Sequence, residues 1–198
     1  MCMNNSVENV KLIKESILTV AYDLFSKNGY TKTNINEIAA ICGISRTPIY
    51  YHFGNKENLH RAALKMLLKK YDKRVDIALY NKSSIENRIV KIMDLIFLHN
   101  KELFHRQQDI IKYGPKESYN EYVDFLKRQA EKIKSSIEIE RANEGKKHEM
   151  NSDALLKLFQ LLFNGLLLTL QNNVFEFNKS EYDDAILMFV KLINSSVK

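Results

Sequence analysis

Apolar residues recur every three or four positions along most of this chain, the spacing that places them on one face of an α-helix. The first segment of this kind runs from Val10 to Lys27, and Asn28-Gly29 ends it because glycine readily takes the left-handed conformation after a helix. Its apolar stripe consists of Val10, Ile13, Ile17, Ala21, Leu24 and Phe25. Only two prolines and six glycines occur in 198 residues, so few positions interrupt such segments. The pattern therefore predicts an all-α protein.

A short second helix is predicted over the sequence NINEIAAIC. Thr33 precedes it and is expected to be its N-cap. Cys42-Gly43 ends it after about two turns, since glycine disfavours continuation of a helix. The positions expected to face inward are Ile35, Ile38 and Ala39.

A third helix is predicted from Arg46 to Phe53, with Ser45 as its N-cap. Pro48 lies in its first turn, where a backbone N–H has no intrahelical acceptor, so the proline is compatible with the helix. Ile49 and Phe53 are four residues apart and are expected to face inward. Two short helices joined by a glycine-containing turn have the spacing of a helix-turn-helix, here over about residues 34–53.

Longer helices are predicted for the rest of the chain. A fourth helix runs from Lys56 to Tyr80, and the polar stretch 81–84 is a linker. Gly114-Pro115 forces a later break, because proline disfavours a helical conformation at the residue before it. The remaining helices are expected at residues 84–113, 116–143, 152–173 and 181–195. We predict an N-terminal helix-turn-helix domain at residues 1–56 and a C-terminal helical domain at 57–198, with 57–80 as the connecting helix.

Polar side chains cover the outer face of the third helix. This face carries Arg46, Thr47, Tyr50, Tyr51 and His52. Arginine can bridge guanine O6 and N7, while threonine, tyrosine and histidine can donate to phosphates or contact thymine methyl groups. Residues 1–80 hold twelve Lys or Arg against seven Asp or Glu, so the basic excess is concentrated in this part. The alternative is that the tyrosine pair packs in a core and that Lys56 is an ordinary solvated lysine.

The sequence TNINEIAAICGISRTPIYYHFGNKENLHRAAL closely resembles the N-terminal DNA-binding domain of the TetR/AcrR family of transcriptional regulators. The shared pattern consists of Thr33, Ile38-Ala39, Gly43, Tyr50-Tyr51-His52-Phe53 and Lys56-Glu57-Asn58-Leu59. The spacing of the first helix and the sequence FSKNGY at 25–30 also match. The resemblance covers residues 10 to about 65.

The resemblance implies a role for each matching position. Arg46, Thr47 and Pro48 occupy base-contacting positions. Tyr50, Tyr51 and His52 match residues that touch phosphates or base methyl groups, and Thr33 and Lys56 match positions that clamp the DNA backbone. Ser45, at the start of the same helix, is also expected to contact DNA. The resemblance further implies a homodimeric repressor, a pseudo-palindromic double-stranded DNA operator and a small-molecule effector bound by the C-terminal domain.

The last two helices supply candidates for the dimer interface. A helix that is apolar nearly all round must be covered on two sides, by its own domain and by something else. The candidates are Leu155, Leu158, Phe159, Leu162, Phe163, Leu166, Ile186, Phe189 and Ile193. Two such helices pairing with their copies would form a four-helix interface. The alternative is a helix that lies wholly inside its own domain.

Aromatic and ionisable residues are concentrated on either side of Gly114-Pro115, and we predict that they line the effector pocket. The candidates are His99, Phe104, His105, Tyr113, Tyr119, Tyr122 and Phe125. The alternative is that these aromatics are ordinary core residues. His99 and His105 are six residues apart and face different ways, so no metal site is predicted.

Other classes of protein are disfavoured. Cys2 and Cys42 form neither a disulfide framework nor a zinc motif, and the N-terminus lacks a signal-peptide core, so a cytoplasmic protein is expected. The most apolar stretch, 154–170, is interrupted by polar residues and predicts a buried helix rather than a membrane span. No glycine-rich phosphate loop or nucleophile motif is present, so neither enzymatic activity nor a cofactor is predicted. The remaining alternative is an interaction protein that kept the fold without binding an operator.

Overall fold

The computed structural model describes residues 2–81, 83–97, 114–144, 151–172 and 179–194. All regular secondary structure in these ranges is helical, which confirms the predicted fold class. The helices are α1 (Cys2–Lys32), α2 (Ile35–Ile41), α3 (Arg46–Phe53), α4 (Lys56–Leu79), α5 (Ile85–Phe97), α6 (Lys116–Glu144), α7 (Ser152–Asn172) and α8 (Lys179–Asn194).

Helix α1 is longer than predicted at both ends. It begins at Cys2 and continues to Lys32, and Gly29 breaks its geometry with φ 78° and ψ 163°. The predicted apolar stripe is buried only from Ile17 onward, whereas Val10 and Ile13 are 48% and 40% exposed. An apolar face is buried only where other elements pack against it, and periodicity alone does not say how far along a helix this extends.

The predicted N-cap of α2 is wrong by one residue. Asn34 caps the helix, and its side-chain oxygen accepts a hydrogen bond from the Asn36 N–H at 2.9 Å. Thr33 is buried instead, and the single hydrogen of its hydroxyl is shared between the carbonyls of Gly29 at 2.8 Å and Leu24 at 3.1 Å. Threonine and asparagine are both good caps, so the choice between neighbours depends on which side chain the turn directs outward.

The chain packs as two compact units. Among the described residues, the first unit contains everything up to Tyr71 together with residues 114–125, and the second contains the remainder. The helix-turn-helix therefore packs with more of the chain than the predicted segment 1–56. The core of the first unit is formed by Ile17, Leu18, Ala21, Leu24, Phe25, Ile35, Ile38, Ala39, Ile49, Phe53, Leu59 and Ala63. The core of the second unit is formed by Val75, Ala78, Leu79, Ile89, Ile92, Met93, Ile133, Ile137, Leu155, Leu156, Ile186 and Val190.

A histidine is buried in the first unit. His60 is 2% exposed, its Nδ1 lies 2.7 Å from the hydroxyl oxygen of Ser118, and its ring packs edge-on against Phe25 at 4.7 Å between ring centres. Burial, with a smaller contribution from the nearby Lys56 charge, lowers the pKa of His60 to about 4. The neutral imidazole is therefore the form that the fold accommodates.

The buried histidine predicts a loss of stability in mild acid. Since the folded pKa of about 4 lies below the ordinary value of 6.5, the unfolded chain binds more protons between these two values. The contribution is fully present above pH 6.5 and is lost as the pH falls towards 4. Lowering the pH from 7 to 5 should cost about 2 kcal/mol of unfolding free energy through this group. Urea unfolding at both pH values, at fixed protein concentration, should show a smaller difference for His60→Gln. An equal pH dependence in both proteins would contradict the assignment.

Candidate nucleic-acid interface

The turn between α2 and α3 is set by backbone hydrogen bonds around Gly43. The Ile44 N–H donates to the Ala39 carbonyl at 3.0 Å, and the Gly43 N–H donates to the Ala40 carbonyl at 3.1 Å. These two hydrogen bonds form a common helix ending in which the residue after the C-cap takes a left-handed conformation. Gly43 is that residue, with φ 65°. A residue with a Cβ would be strained there, so the glycine determines where α3 starts.

Helix α3 has one buried and one exposed face, as predicted. Ile49 is 1% and Phe53 is 7% exposed, and both belong to the core of the first unit. Arg46 and Thr47 are exposed, as are Tyr50 and Tyr51, the latter at 84%. Ser45 occupies the predicted N-cap position, but its side chain makes no capping hydrogen bond and is exposed. The exposed face therefore presents an arginine and hydroxyl groups on a helix that cannot rotate without exposing its core residues.

Pro48 and His52 lie at the edge of this face and are half-buried. The His52 ring packs edge-on against the rings of Tyr51, at 5.1 Å, and Phe53, at 6.2 Å. Pro48 is the third residue of α3, so it removes no helical hydrogen bond. Both residues shape the surface beside the exposed tyrosines.

Lys56 is held in place at the start of α4. Its ammonium lies 4.6 Å from the centre of the Tyr30 ring and donates to the Thr31 carbonyl at 3.3 Å. Burial lowers the pKa of this lysine from its ordinary value. Tyr30 belongs to the matching sequence FSKNGY, but no role could be predicted for it because the contact joins residues 26 positions apart. The positive charge is thus fixed beside a helix N-terminus, which itself favours anions.

Thr33 is the predicted DNA-backbone residue that the structure does not bring to the surface. Its side chain is 2% exposed, and its hydroxyl is used within the chain. The side chain therefore fixes the segment between α1 and α2 rather than presenting a donor to solvent.

The residues predicted to line an effector pocket are described only in part. His99, Phe104, His105 and Tyr113 lie outside the described residues. Tyr119 is 43% exposed. In the first unit Tyr122 and Phe125 are buried in an apolar cluster with Leu64 and Leu68, so they contribute to packing there.

The residues predicted for a dimer interface divide between two faces. Leu155 and Ile186 are 0% and 6% exposed and lie in the core of the second unit, so their assignment to an intermolecular surface is wrong. Leu158 is partly buried against the same core. Leu162 is 45% exposed, and three apolar residues that the sequence analysis did not select are more exposed still: Leu161, Leu187 and Met188. The side chains of Phe159, Phe163, Leu166, Phe189 and Ile193 lie outside the described ones.

Membrane-spanning helices and metal-binding clusters are both absent from the described part of the chain. None of its helices is both long and apolar enough to cross a bilayer. It contains no group of three or more His, Cys, Asp or Glu side chains arranged to hold a metal ion.

The sequence is similar to known regulators mainly in its N-terminal part. Residues 17–63 match the family described as bacterial regulatory proteins, tetR family. The HTH-type transcriptional regulator QacR of Staphylococcus aureus is 49% identical over 47 residues, which cover 24% of this chain and 25% of QacR. The HTH-type transcriptional regulator RutR of Escherichia coli is 40% identical over 55 residues, which cover 28% of this chain and 26% of RutR. The match thus spans about a quarter of the length of these relatives.

The fold is shared over a much larger part of the chain. A crystal structure of a TetR/AcrR family member superimposes with a TM-score of 0.74 over 93% of this chain and 100% of that one, at 16% sequence identity. At this identity the superposition speaks for the fold alone, while the family match speaks for the helix-turn-helix segment. Residues 17–63 thus match a helix-turn-helix segment of the tetR family of bacterial regulatory proteins, and the chain shares its fold with a TetR/AcrR family structure.

Proposed function

We propose that this protein is a cytoplasmic, homodimeric transcriptional repressor that binds a pseudo-palindromic DNA operator and releases it when a small molecule binds the C-terminal domain. The observation that carries the proposal is the divided surface of α3. Ile49 and Phe53 are buried, while Arg46, Tyr50 and Tyr51 face outward on the same two turns. The family matched at residues 17–63 is one of regulatory proteins, and no enzymatic activity is proposed.

In this proposal α3 enters the major groove with its N-terminal residues towards the base edges. Arg46 is the first residue of the helix, and its guanidinium can donate two parallel hydrogen bonds to one guanine. The hydroxyls of Thr47, Tyr50 and Tyr51 can donate to phosphates on either side. Since the helix is fixed by its buried face, these groups meet the DNA with little loss of conformational freedom.

Lys56 supplies a phosphate contact from the start of α4. Its ammonium is already positioned over Tyr30 and beside the Thr31 carbonyl, so binding a phosphate requires little rearrangement. The N-terminus of α4, where the helix dipole is positive, favours the same anion. The lysine therefore contributes to affinity for any sequence, whereas Arg46 contributes to the choice of sequence.

Substitutions at these two positions should have different effects. Arg46→Ala should weaken operator binding by about 1–3 kcal/mol and relax the preference at one base pair. Lys56→Ala should weaken binding to all DNA sequences alike and reduce the slope of log K against log salt by about 0.9. Fluorescence anisotropy with the DNA upstream of the gene, at several salt concentrations, measures both.

Lys69→Ala is the matched control, because it removes the same charge from an exposed position farther along α4. It should change the affinity for DNA and the slope of log K against log salt less than Lys56→Ala does. If the wild-type protein forms no complex with the upstream DNA at low salt, the protein has kept the fold without the function.

Dimerisation is part of the proposal because two copies of α3 must reach successive major grooves, about 34–36 Å apart. Apolar side chains on α7 and α8 support it. Leu161 is 70% and Met188 is 69% exposed, and Leu162 and Leu187 are also exposed. Large apolar side chains exposed on two helices are costly in water, and a second copy of the chain would cover them.

Charged substitutions on this surface should produce monomers. Leu161→Glu and Met188→Glu each place a carboxylate in the proposed interface, where burial of an unpaired charge is unfavourable. Both positions are exposed in the protomer, so folding should be retained. Sedimentation velocity should show monomers, with circular dichroism unchanged.

Ile77→Glu serves as the control, because Ile77 is 74% exposed on α4 and outside this surface. It should sediment as the wild type does. A monomeric wild-type protein, or dimers in both α7 and α8 variants, would rule out this interface.

Release of the operator requires a negative coupling between the effector and DNA. Couplings between sites are typically about 1–3 kcal/mol, and DNA must weaken effector binding by the same factor. A compound that dissociates the complex should therefore bind about 5–150-fold more weakly in calorimetry when saturating operator is present. Equal affinities with and without operator would end the repressor-release mechanism while leaving DNA binding intact.

A further inference from the structure

Four side chains of the first unit form a continuous line of contacts from the DNA-facing start of α4 to the first turn of α6. We call this line, formed by Lys56, Tyr30, His60 and Ser118, the Lys56–Ser118 relay. The Lys56 ammonium lies 4.6 Å from the Tyr30 ring centre, and the Tyr30 and His60 rings meet edge to face at 5.2 Å. His60 Nδ1 lies 2.7 Å from the hydroxyl oxygen of Ser118. No link in this line depends on an intervening solvent molecule.

The inner half of the relay is closed to water. His60 and Ser118 are 2% and 0% exposed, respectively. Phe25 covers the two rings, with its centre 4.7 Å from that of His60 and 5.8 Å from that of Tyr30. A buried polar group that loses its partner is not rescued by solvent, so the hydrogen bond between His60 and Ser118 constrains both side chains strongly.

The position of Ser118 depends on how α6 begins. Ser118 is the third residue of α6, and its N–H donates to the Pro115 carbonyl at 3.0 Å. The first turn is thus attached to the Gly114-Pro115 break that precedes it. A rotation or shift of this turn by about 1 Å would take the Ser118 hydroxyl out of hydrogen-bonding range of His60.

Other contacts join α4 and α6 in the same unit without touching the relay. Lys65 forms an ion pair with Glu121 at 2.5 Å, and both side chains are partly exposed. This pair lies farther along both helices than His60 and Ser118. It offers a way to weaken the helix pair while leaving the relay intact.

We propose that His60 and Ser118 are positioning residues for the phosphate contact of Lys56, so that the first turn of α6 sets the affinity for DNA through the relay. The proposal rests on the proposed DNA-binding function. When Ser118 moves away, the imidazole loses the partner that fixes its ring plane. The Tyr30 ring then loses one of its two packing partners, and the ammonium of Lys56 is positioned less firmly, by its hydrogen bond to the Thr31 carbonyl and a looser ring.

Binding to a DNA duplex of random sequence tests the proposal, because it depends on phosphate contacts and needs no known operator. Ser118→Ala should weaken binding about 3- to 10-fold, the change expected from loss of one buried hydrogen bond. It should also reduce the slope of log K against log salt by about 0.9, as loss of the Lys56 phosphate contact would. His60→Phe keeps an aromatic ring but removes the hydrogen bond, so it should have the same effect. Circular dichroism at the binding temperature verifies that each variant is folded.

A double-mutant cycle separates the relay from general loosening of the helix pair. In the Lys56→Ala background, Ser118→Ala should have no further effect on affinity or on the salt slope. Glu121→Gln weakens a different contact between the two helices and should leave both the affinity and the salt slope at the wild-type value.

The possible results are distinguishable. Failure of the wild-type protein to bind the duplex would overturn the proposed function itself. Wild-type binding with unchanged affinity in both Ser118→Ala and His60→Phe would overturn only the relay. Equal losses in Glu121→Gln and Ser118→Ala, or additive losses with Lys56→Ala, would show a structural role in place of positioning. The proposal is supported if only the relay variants lose affinity for DNA and if these variants lose no further affinity in the Lys56→Ala background.

Discussion

The burial of Ile49 and Phe53 is the constraint on which the rest of the first unit depends. Helix α3 has only eight residues, too few to be stable by itself in water. Each of these side chains contributes about 1.5–3 kcal/mol on burial, and both enter a core shared with α1, α2 and α4. The orientation of Arg46 and Tyr51 follows, because no other rotation of the helix keeps Ile49 and Phe53 inside. A recognition surface is thus produced by packing on the opposite side.

The polar groups behind this surface are held as firmly as the apolar ones. His60 and Ser118 satisfy each other in a region closed to solvent, and Thr33 donates to two backbone carbonyls. Buried hydrogen bonds add little net stability when made but cost more when broken, so they specify one arrangement of helices. The same property allows a small movement of α6 to have a defined consequence at Lys56. Stability in mild acid and the geometry of the relay both depend on one neutral imidazole.

The second unit combines a packed apolar interior with an incompletely covered exterior. The Arg88 guanidinium donates to the Leu79 carbonyl at 3.1 Å and forms an ion pair with Glu140. Leu155 and Ile186 complete the apolar core, whereas Leu161 on α7 remains largely exposed. A helix with apolar residues on two faces can serve its own core and a second surface at once. This division is the basis for the proposed dimer.

Most of the helices could be predicted from the sequence, because a 3.6-residue apolar period, glycine at helix ends and proline in first turns act locally. The bounds of α3, the inward direction of Ile49 and Phe53 and the family resemblance all follow from neighbours within a few positions. Three features depend on how the chain packs and could not be predicted: Asn34 rather than Thr33 caps α2, Leu155 is internal, and Lys56 lies over Tyr30. These outcomes depend on which helices pack together. Apolar periodicity indicates which face of a helix is buried but not which element covers it.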